Sequence, residues 1–360
     1  MKKIYLLAFL LVAIGGFAQP PAGYYNSATG TGFTLKTQLY NIIKNHNDRT
    51  YAGLYVTYTT SDKDFFYENN GTMLDMYTEN PTGSECEFTY GVNQDDGTLG
   101  NNECEKYNRE HLVPQSVFAS ATPMYSDAHF VVPSDKHVNG VRNNFPFGKV
   151  NSASFTSTNG SKLGQNVNSG YSAGYTGVVF EPIDEFKGDI ARMLLYFATR
   201  YENVVAGYSY AMFNGTSTQV FTDTFKNILL TWNAQDPVSA REIARNNAVY
   251  ARQNNRNPFI DNNAYVTAIW GSAPLATDSF EALASVSIYP NPANDHRVSI
   301  RSSVNLDEIE LVNLNGQIIQ MIKKPELQND TYSLTNLPQG FYFVKLMSGN
   351  QSVTKKVIVN

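Results

Sequence analysis

The sequence predicts an α+β protein in two parts, a mixed helix-and-strand domain followed by a small all-β sandwich. Three observations predict it. Phe186, Ile190, Met193, Leu194 and Phe197 recur at the spacing of one helix face. Between Gly271 and Ser285 the composition thins to small and polar residues, the mark of a linker. Beyond that point short alternating runs follow at intervals of about 8–12 residues, the texture of a β-sandwich. With 360 residues, 42% of them hydrophobic, the chain has the length for two domains and the apolar content for ordinary cores.

From the start, Lys2 and Lys3 precede an apolar run from Ile4 to Ile14, which ends in Gly15, Gly16, Phe17 and Ala18 before Gln19. That order of charged, apolar and small residues is a signal peptide over residues 1–18. It is shorter than the roughly 18 or more apolar residues that a membrane anchor needs. Export is therefore expected, with a mature chain from Gln19 that has no membrane span. An exported chain meets an oxidising compartment, so the two cysteines, Cys86 and Cys104, are expected to form a disulfide. It would close a loop of about 18 residues, worth on the order of 3 kcal/mol in the chain-entropy picture.

A formal charge of −5 argues against a generally basic nucleic-acid binder, but the charge is unevenly placed. Residues 19–105 hold 4 Lys and Arg against 12 Asp and Glu, whereas residues 106–271 hold 14 against 12. The acidity belongs to the first stretch, and the second is permissive for a polyanion.

Within the mixed domain, residues 19–275, the Phe186 series predicts a core helix with Gly188 near its start and Tyr201-Glu202-Asn203 at its end. A second helix is expected from about Ser239 to Gln253, with Asp236-Pro237-Val238-Ser239 as its capped start. Arg241, Arg245, Arg252 and Arg256 share one face if that helix extends so far. Such a stripe is either a solvated face or a set of forks for backbone phosphates.

After a linker over 276–284, residues 285–360 carry seven alternating runs, near residues 286–288, 298–300, 309–311, 318–322, 332–334, 341–346 and 353–359. Ile288-Tyr289-Pro290-Asn291-Pro292-Ala293, Leu337-Pro338-Gln339-Gly340-Phe341-Tyr342-Phe343 and Lys355-Lys356-Val357-Ile358 resemble the type A sorting domain of the type IX secretion system. The resemblance implies passage across the outer membrane by that secretion machinery, with removal of the domain, and hence an extracellular protein.

The chemistry is concentrated between Tyr107 and Gly148. His111, His129 and His137, three of the five histidines, fall there among Asn, Asp and Arg. No His-Glu-x-x-His helix or Walker-type phosphate loop is present. His129 and His137 lack a common zinc spacing and are expected to be structural. With both cysteines bridged, soft ligands are missing, so a hard oxygen-binding ion such as Mg²⁺ is favoured over zinc. One His, one carboxylate and one amide oxygen around such an ion would meet the needs of phosphodiester hydrolysis.

Asn108-Arg109-Glu110-His111-Leu112-Val113-Pro114 and Val138-Asn139-Gly140-Val141-Arg142-Asn143-Asn144 together resemble the bacterial endonuclease I family, secreted or periplasmic nucleases of the ββα-metal (His-Me finger) group. Gly188-Asp189-Ile190-Ala191-Arg192 and residues 254–261 extend the resemblance over most of residues 40–270. It implies a ββα-metal core with additional helices, His111 as the general base that activates water, and Glu110 and Asn139 as ligands of one Mg²⁺. Mn²⁺ and Ca²⁺ are the alternative ions. The implied activity is endonucleolytic cleavage of DNA, and secondarily RNA, to 5′-phosphate ends. A ribonuclease of the same family is the runner-up, and an inactive nucleic-acid-binding or adhesion protein on this scaffold is the reading from another class.

Several points stay open at this level. Neighbouring strand residues point to opposite faces, so Glu110 and His111 require the chain to bend between them, and Pro114 fits an interrupted strand. Asn139 before Gly140 can mark only a turn, with Asn143 or Asn144 as the replacement ligand. Arg142 either contacts the scissile phosphate or holds the loop, and Arg109, Arg192, Arg245 and Arg256 are candidate phosphate contacts. Some family members place an arginine between the His-bearing strand and the Asn-bearing helix. Residues 112–141 hold none, and Lys136 is the only cation there, which leaves Arg142, Arg192 or the metal to stabilise the leaving group. A base must be neutral, so activity is expected to fall below about pH 6.5, the ordinary imidazole value.

Overall fold

Residues 20–272, 286–302, 304–327, 331–348 and 351–360 are described by the computed structural model. The expected signal peptide, the cleavage point at Gln19 and the linker over 276–284 lie outside them. The chain divides into two compact units between Ala273 and Pro274, with Asn168–Ala173 grouped with the second.

Helices α1 (Gly32–Ile43) and α2 (Gly53–Ser61) open the first unit, and a long irregular stretch follows. The Cys86–Cys104 disulfide, which is formed, closes the second half of that stretch just before β1. Strands β1 (Tyr107–His111) and β2 (Val131–Asp135) then pair antiparallel, with Tyr107 opposite Asp135 and His111 opposite Val131. Helix α3 (Lys136–Arg142) continues directly from β2. Asp135 caps it, because Oδ1 accepts the Val138 amide at 2.9 Å and so satisfies an otherwise orphaned first-turn donor. Asp135 Oδ2 accepts the Cys104 amide at 2.7 Å, so the disulfide loop is tied to the same cap. Strand, strand and helix in that order are the ββα core.

A three-stranded antiparallel sheet follows, formed by β3 (Val150–Thr156), β4 (Lys162–Asn166) and β5 (Val178–Glu181). Helices α4 (Lys187–Arg200), α5 (Asp223–Gln235), α6 (Ala240–Gln253), α7 (Pro258–Asp261) and α8 (Ala264–Trp270) complete the unit. The Phe186 series does lie on a core helix, and α4 is buried along its whole length. Helix α6 starts as expected. Ser239 Oγ accepts the Glu242 amide at 3.2 Å, and Glu242 Oε2 accepts the Ser239 amide at 2.9 Å, a reciprocal capping box.

Polar groups buried at this density need partners. Asp127, in the β1–β2 connection, accepts hydrogen bonds from the hydroxyls of Tyr196 and Tyr201 and from Gln253 Nε2, each at 2.8 Å. One buried carboxylate thus joins the ββα core to α4 and α6. Among the described residues no helix is long and apolar enough to cross a membrane.

The second unit is all-β, and each of the seven alternating runs forms a strand. They are β6 (Ser287–Tyr289), β7 (Val298–Arg301), β8 (Glu308–Asn313), β9 (Ile318–Lys323), β10 (Tyr332–Leu334), β11 (Gly340–Ser348) and β12 (Gln351–Val359). One sheet runs β10-β7-β6 and the other β12-β11-β8-β9. Alternation sorts the side chains: Tyr342, Val344 and Leu346 join the core, while Phe341 and Phe343 remain exposed.

Removing the disulfide by the double substitution Cys86→Ser/Cys104→Ser should cost about 3 kcal/mol by loop-closure entropy. Urea denaturation measures this, and an unchanged midpoint would show that the loop is held without it.

Candidate active site

The C-terminal end of β1 and one side of α3 enclose a cleft of about 360 Å³. Glu110, His111 and Asn139 all line it, as do Arg109 and Lys136. The ladder is uninterrupted through Glu110 opposite Val132 and His111 opposite Val131, so the expected bend is absent from the strand. Instead β1 terminates at His111, and a cleft lying across a strand's end is open to residues of both faces.

His111 is 4% exposed. Its Nε2 lies 3.1 Å from the Tyr125 carbonyl oxygen. A carbonyl can only accept, so in the neutral ring Nε2 carries the proton and Nδ1 is left as the acceptor. The ring stacks on Tyr125 with centroids 5.4 Å apart and planes within 10°. Burial pushes the imidazole pKa down to about 4; Arg109 and Arg142 push the same way, and the Tyr125 carbonyl opposes them. The ring is therefore neutral well below pH 6.5, and the acid limb expected there moves towards about 4.

Glu110 is 2% exposed. Its Oε1 accepts the Tyr77 hydroxyl at 2.8 Å and pairs with Arg142 Nη1 at 3.0 Å. Burial raises its pKa, while Arg142, Tyr77 and the His111 amide favour the ionised form. Arg142 is fully buried. Its Nη1 also donates to the His111 carbonyl at 3.0 Å, and Nη2 donates to the Leu112 carbonyl at 2.7 Å. These bonds hold the loop, and the same guanidinium also borders the cleft.

Asn139 sits inside α3, so Asn139-Gly140 is not a turn. Its Nδ2 donates to Asn108 Oδ1 at 2.7 Å, which fixes the amide plane and leaves Oδ1 for a ligand. Asn143 and Asn144 line the same cleft one turn further along.

Three of the four candidate phosphate contacts are corrected by burial. Arg192 forms a bidentate pair with Glu242 at 2.6 and 2.7 Å and donates to Asn233 and the Asp236 carbonyl. Arg245 pairs with Asp62 at 2.7 Å and donates to the Ala128 carbonyl. Arg256 lies beyond the end of α6 and forks onto Asp261, both bonds 2.7 Å. None of the three lines the cleft. The Arg241–Arg245 face of α6 is its inward face, because Asp189 and Asp62 wait there to neutralise it. Arg109 is the exception: its guanidinium lies over the rings of Tyr51 at 3.5 Å and Tyr55 at 4.2 Å, and it lines the cleft.

His129 is structural, with Nε2 2.9 Å from the Asn255 carbonyl. Sequence reasoning missed Tyr51, Tyr77 and Tyr125, which support Arg109, Glu110 and His111. They come from outside the motif window or through a backbone carbonyl, and no residue pattern announces either.

The family described as Endonuclease I matches residues 31–264. The chain belongs to the endonuclease I family. Residues 287–360 match the secretion system C-terminal sorting domain. Two curated relatives, each named extracellular ribonuclease, come from Bacillus amyloliquefaciens and Bacillus subtilis (strain 168). Each is 33% identical, over 69% of this chain and 78% of the relative. Among solved structures, PorZ, a bacterial surface component of the type-IX secretion system of Porphyromonas gingivalis, matches 24% of this chain and 13% of its own, with 16% identity and a TM-score of 0.19. The endonuclease I chain is a secreted protein whose family acts on nucleic acid and whose sorting domain addresses the secretion machinery.

Arg192→Ala and Arg245→Ala leave Glu242 or Asp62 buried without a counter-charge. Each should lose about 3–5 kcal/mol of stability. A loss below about 1 kcal/mol in urea denaturation, within the range of an ordinary exposed ion pair, together with weakened substrate binding, would restore them as phosphate contacts.

Proposed function

We propose that this endonuclease I protein is an extracellular, metal-dependent endonuclease that hydrolyses phosphodiester bonds of DNA and RNA with little sequence preference. His111 is its general base, and Glu110 and Asn139 hold Mg²⁺. The observation that carries the reading is the neutral His111 with Nε2 committed to the Tyr125 carbonyl. Its Nδ1 is thereby free to take a proton in a cleft shared with a buried carboxylate and an oriented amide oxygen.

As Nδ1 takes a proton from water, the water oxygen bonds to phosphorus and the P–O3′ bond breaks. The departing oxygen takes its proton from solvent, leaving 3′-hydroxyl and 5′-phosphate ends. Tyr77 and Arg142 hold Glu110, and Tyr125 holds His111, so the site is arranged before substrate arrives. The donors fit a hard cation, since all are oxygens and the buried Glu110 carboxylate gains from a neighbouring positive charge. When bound, Mg²⁺ supplies charge stabilisation at the phosphoryl oxygens; Mn²⁺ or Ca²⁺ would meet the same oxygens. Arg109 and Lys136, the lysine and arginine facing the cleft besides buried Arg142, are the backbone-phosphate contacts and take the place of the missing leaving-group arginine. Contacts to phosphate carry no sequence information.

A base that activates water makes no use of the 2′-hydroxyl, so both nucleic acids serve as substrates. The names of the two Bacillus relatives favour RNA as a substrate alongside DNA.

Purified mature protein incubated with plasmid DNA and with RNA should cut both with Mg²⁺ and neither with chelator. His111→Ala should lose both activities by about 10²–10⁴-fold, the usual contribution of a general base, with its circular dichroism unchanged; cutting at the original rate would sink the assignment. A buried imidazole charges only below its lowered pKa, so the base stays neutral as pH falls. At saturating Mg²⁺ the rate should therefore hold from about pH 8 to about pH 5 and be half lost near pH 4. Half-loss near pH 6.5 would show an ordinary, solvated imidazole.

A further inference from the structure

Part of the acidity of residues 19–105 is gathered in one place. One carboxylate oxygen from each of Asp64, Glu68 and Glu85 lies within 4.8 Å of the others. Asp64 is fully buried, Glu85 half-buried and Glu68 exposed. Among the described residues no lysine or arginine forms an ion pair with any of them.

A fourth acid supplies an independent observation. Glu79 is 3% exposed, and its Oε1 is buried without a hydrogen-bond partner. Its carboxyl stands at hydrogen-bonding range of Glu85 and close to Glu68 and Asp64. Asp64 Oδ2 and Glu85 Oε2 are likewise buried and unpartnered. Buried acceptor oxygens crowded together, with only a proton between Glu79 and Glu85 to relieve them, are an arrangement that folding penalises unless something positive enters. Burial, then Glu85, Glu68 and Asp64, push the Glu79 carboxyl up to about 10, which measures the same crowding.

We propose that Asp64, Glu68 and Glu85, with Glu79 beside Glu85, form a second cation site, separate from the cleft, that takes Ca²⁺. All its donors are carboxylate oxygens, the ligands of a hard ion. Ca²⁺ accepts six to eight oxygens in irregular geometry, whereas Mg²⁺ demands a near-ideal octahedron and keeps its waters. The exposed Glu68 provides the way in. The site would order the stretch between Asp64 and Glu85 that carries two supports of the cleft: Tyr77, whose hydroxyl holds Glu110, and Asp75, whose Oδ2 accepts the amide of the α3 cap Asp135 at 2.9 Å. Glu85 adjoins Cys86, so disulfide and cation would brace the same segment.

The test separates this site from the cleft by using Asn139→Ala as the parent. Calcium sites of extracellular modules have Kd values of about 10⁻⁴–10⁻³ M, so about 10 mM CaCl₂ should raise the parent's Tm over that in EGTA by about 5 °C. Adding Glu79→Gln/Glu85→Gln should abolish the shift and leave the EGTA Tm at or above the parent's, since neutral amides remove the repulsion. An equal shift in that variant, or none in the parent, overturns the site. Equilibrium dialysis with radioactive Ca²⁺ gives a second readout that needs no Gln variant to fold. Two ions in the wild type falling to one in Asn139→Ala supports both sites. One ion in each supports this site and counts against the cleft's metal, and one falling to none overturns this site.

Discussion

The guanidinium of Arg142 ties the ends of the ββα unit together. It leaves the last residue of α3, reaches the carbonyls of His111 and Leu112 where β1 ends, and pairs with the Glu110 carboxylate on the way. A strand end has unsatisfied carbonyls and a buried carboxylate has an unsatisfied charge, and a single planar fork answers both. The register of β1 on β2 sets where His111 stands, but Arg142 sets how the chain leaves it. With its Nη groups taken up by protein acceptors, Arg142 leaves the partly exposed Arg109 and Lys136 better placed to meet phosphate at the cleft's rim.

The same solution recurs through the first unit. Arg192 with Glu242, Arg241 with Asp189, Arg245 with Asp62 and Arg256 with Asp261 are buried pairs joining separate elements or pinning a loop. Breaking one partner leaves a buried charge, so such pairs select one arrangement of the helices even where their net contribution to stability is small. The consequence for function is a rigid cleft: His111, Glu110 and Asn139 are each held by a second group that itself is held. Among the described residues, Arg109, stacked on Tyr51 and Tyr55, and Lys136, paired with Asp95, present cationic side chains from partly exposed positions at the cleft.

Much of the fold was legible because it rests on local periodicity. The Phe186 series has the spacing of a core helix and is one; Ser239 with Glu242 has the pattern of a capping box and forms it. The seven alternating runs after Ser285 became seven strands, since alternation alone sorts a sandwich strand into core and solvent faces. The arginines of α6 show where this stops. Arginine scores as polar wherever it sits, so the pattern cannot separate a solvated stripe from a face whose charges are met by Asp62 and Asp189, which lie well over a hundred and about fifty residues away in the chain. The same holds for Asn139, whose neighbour Gly140 suggests a turn until the Asp135 cap and the β2 connection place both inside a helix.

By itself the sequence determined which residues meet at the cleft's centre, because Glu110, His111 and Asn139 lie on one short strand–strand–helix unit whose elements are set by nearest neighbours. It also determined the two-part build, the sorting domain and the pairing of its only two cysteines. Tertiary structure alone decided the state of those residues. Whether His111 is neutral depends on burial by Tyr51, Tyr125 and Phe130, and which nitrogen is free depends on one carbonyl. Charge state and tautomer are properties of an environment assembled from distant segments, and no local pattern encodes that environment.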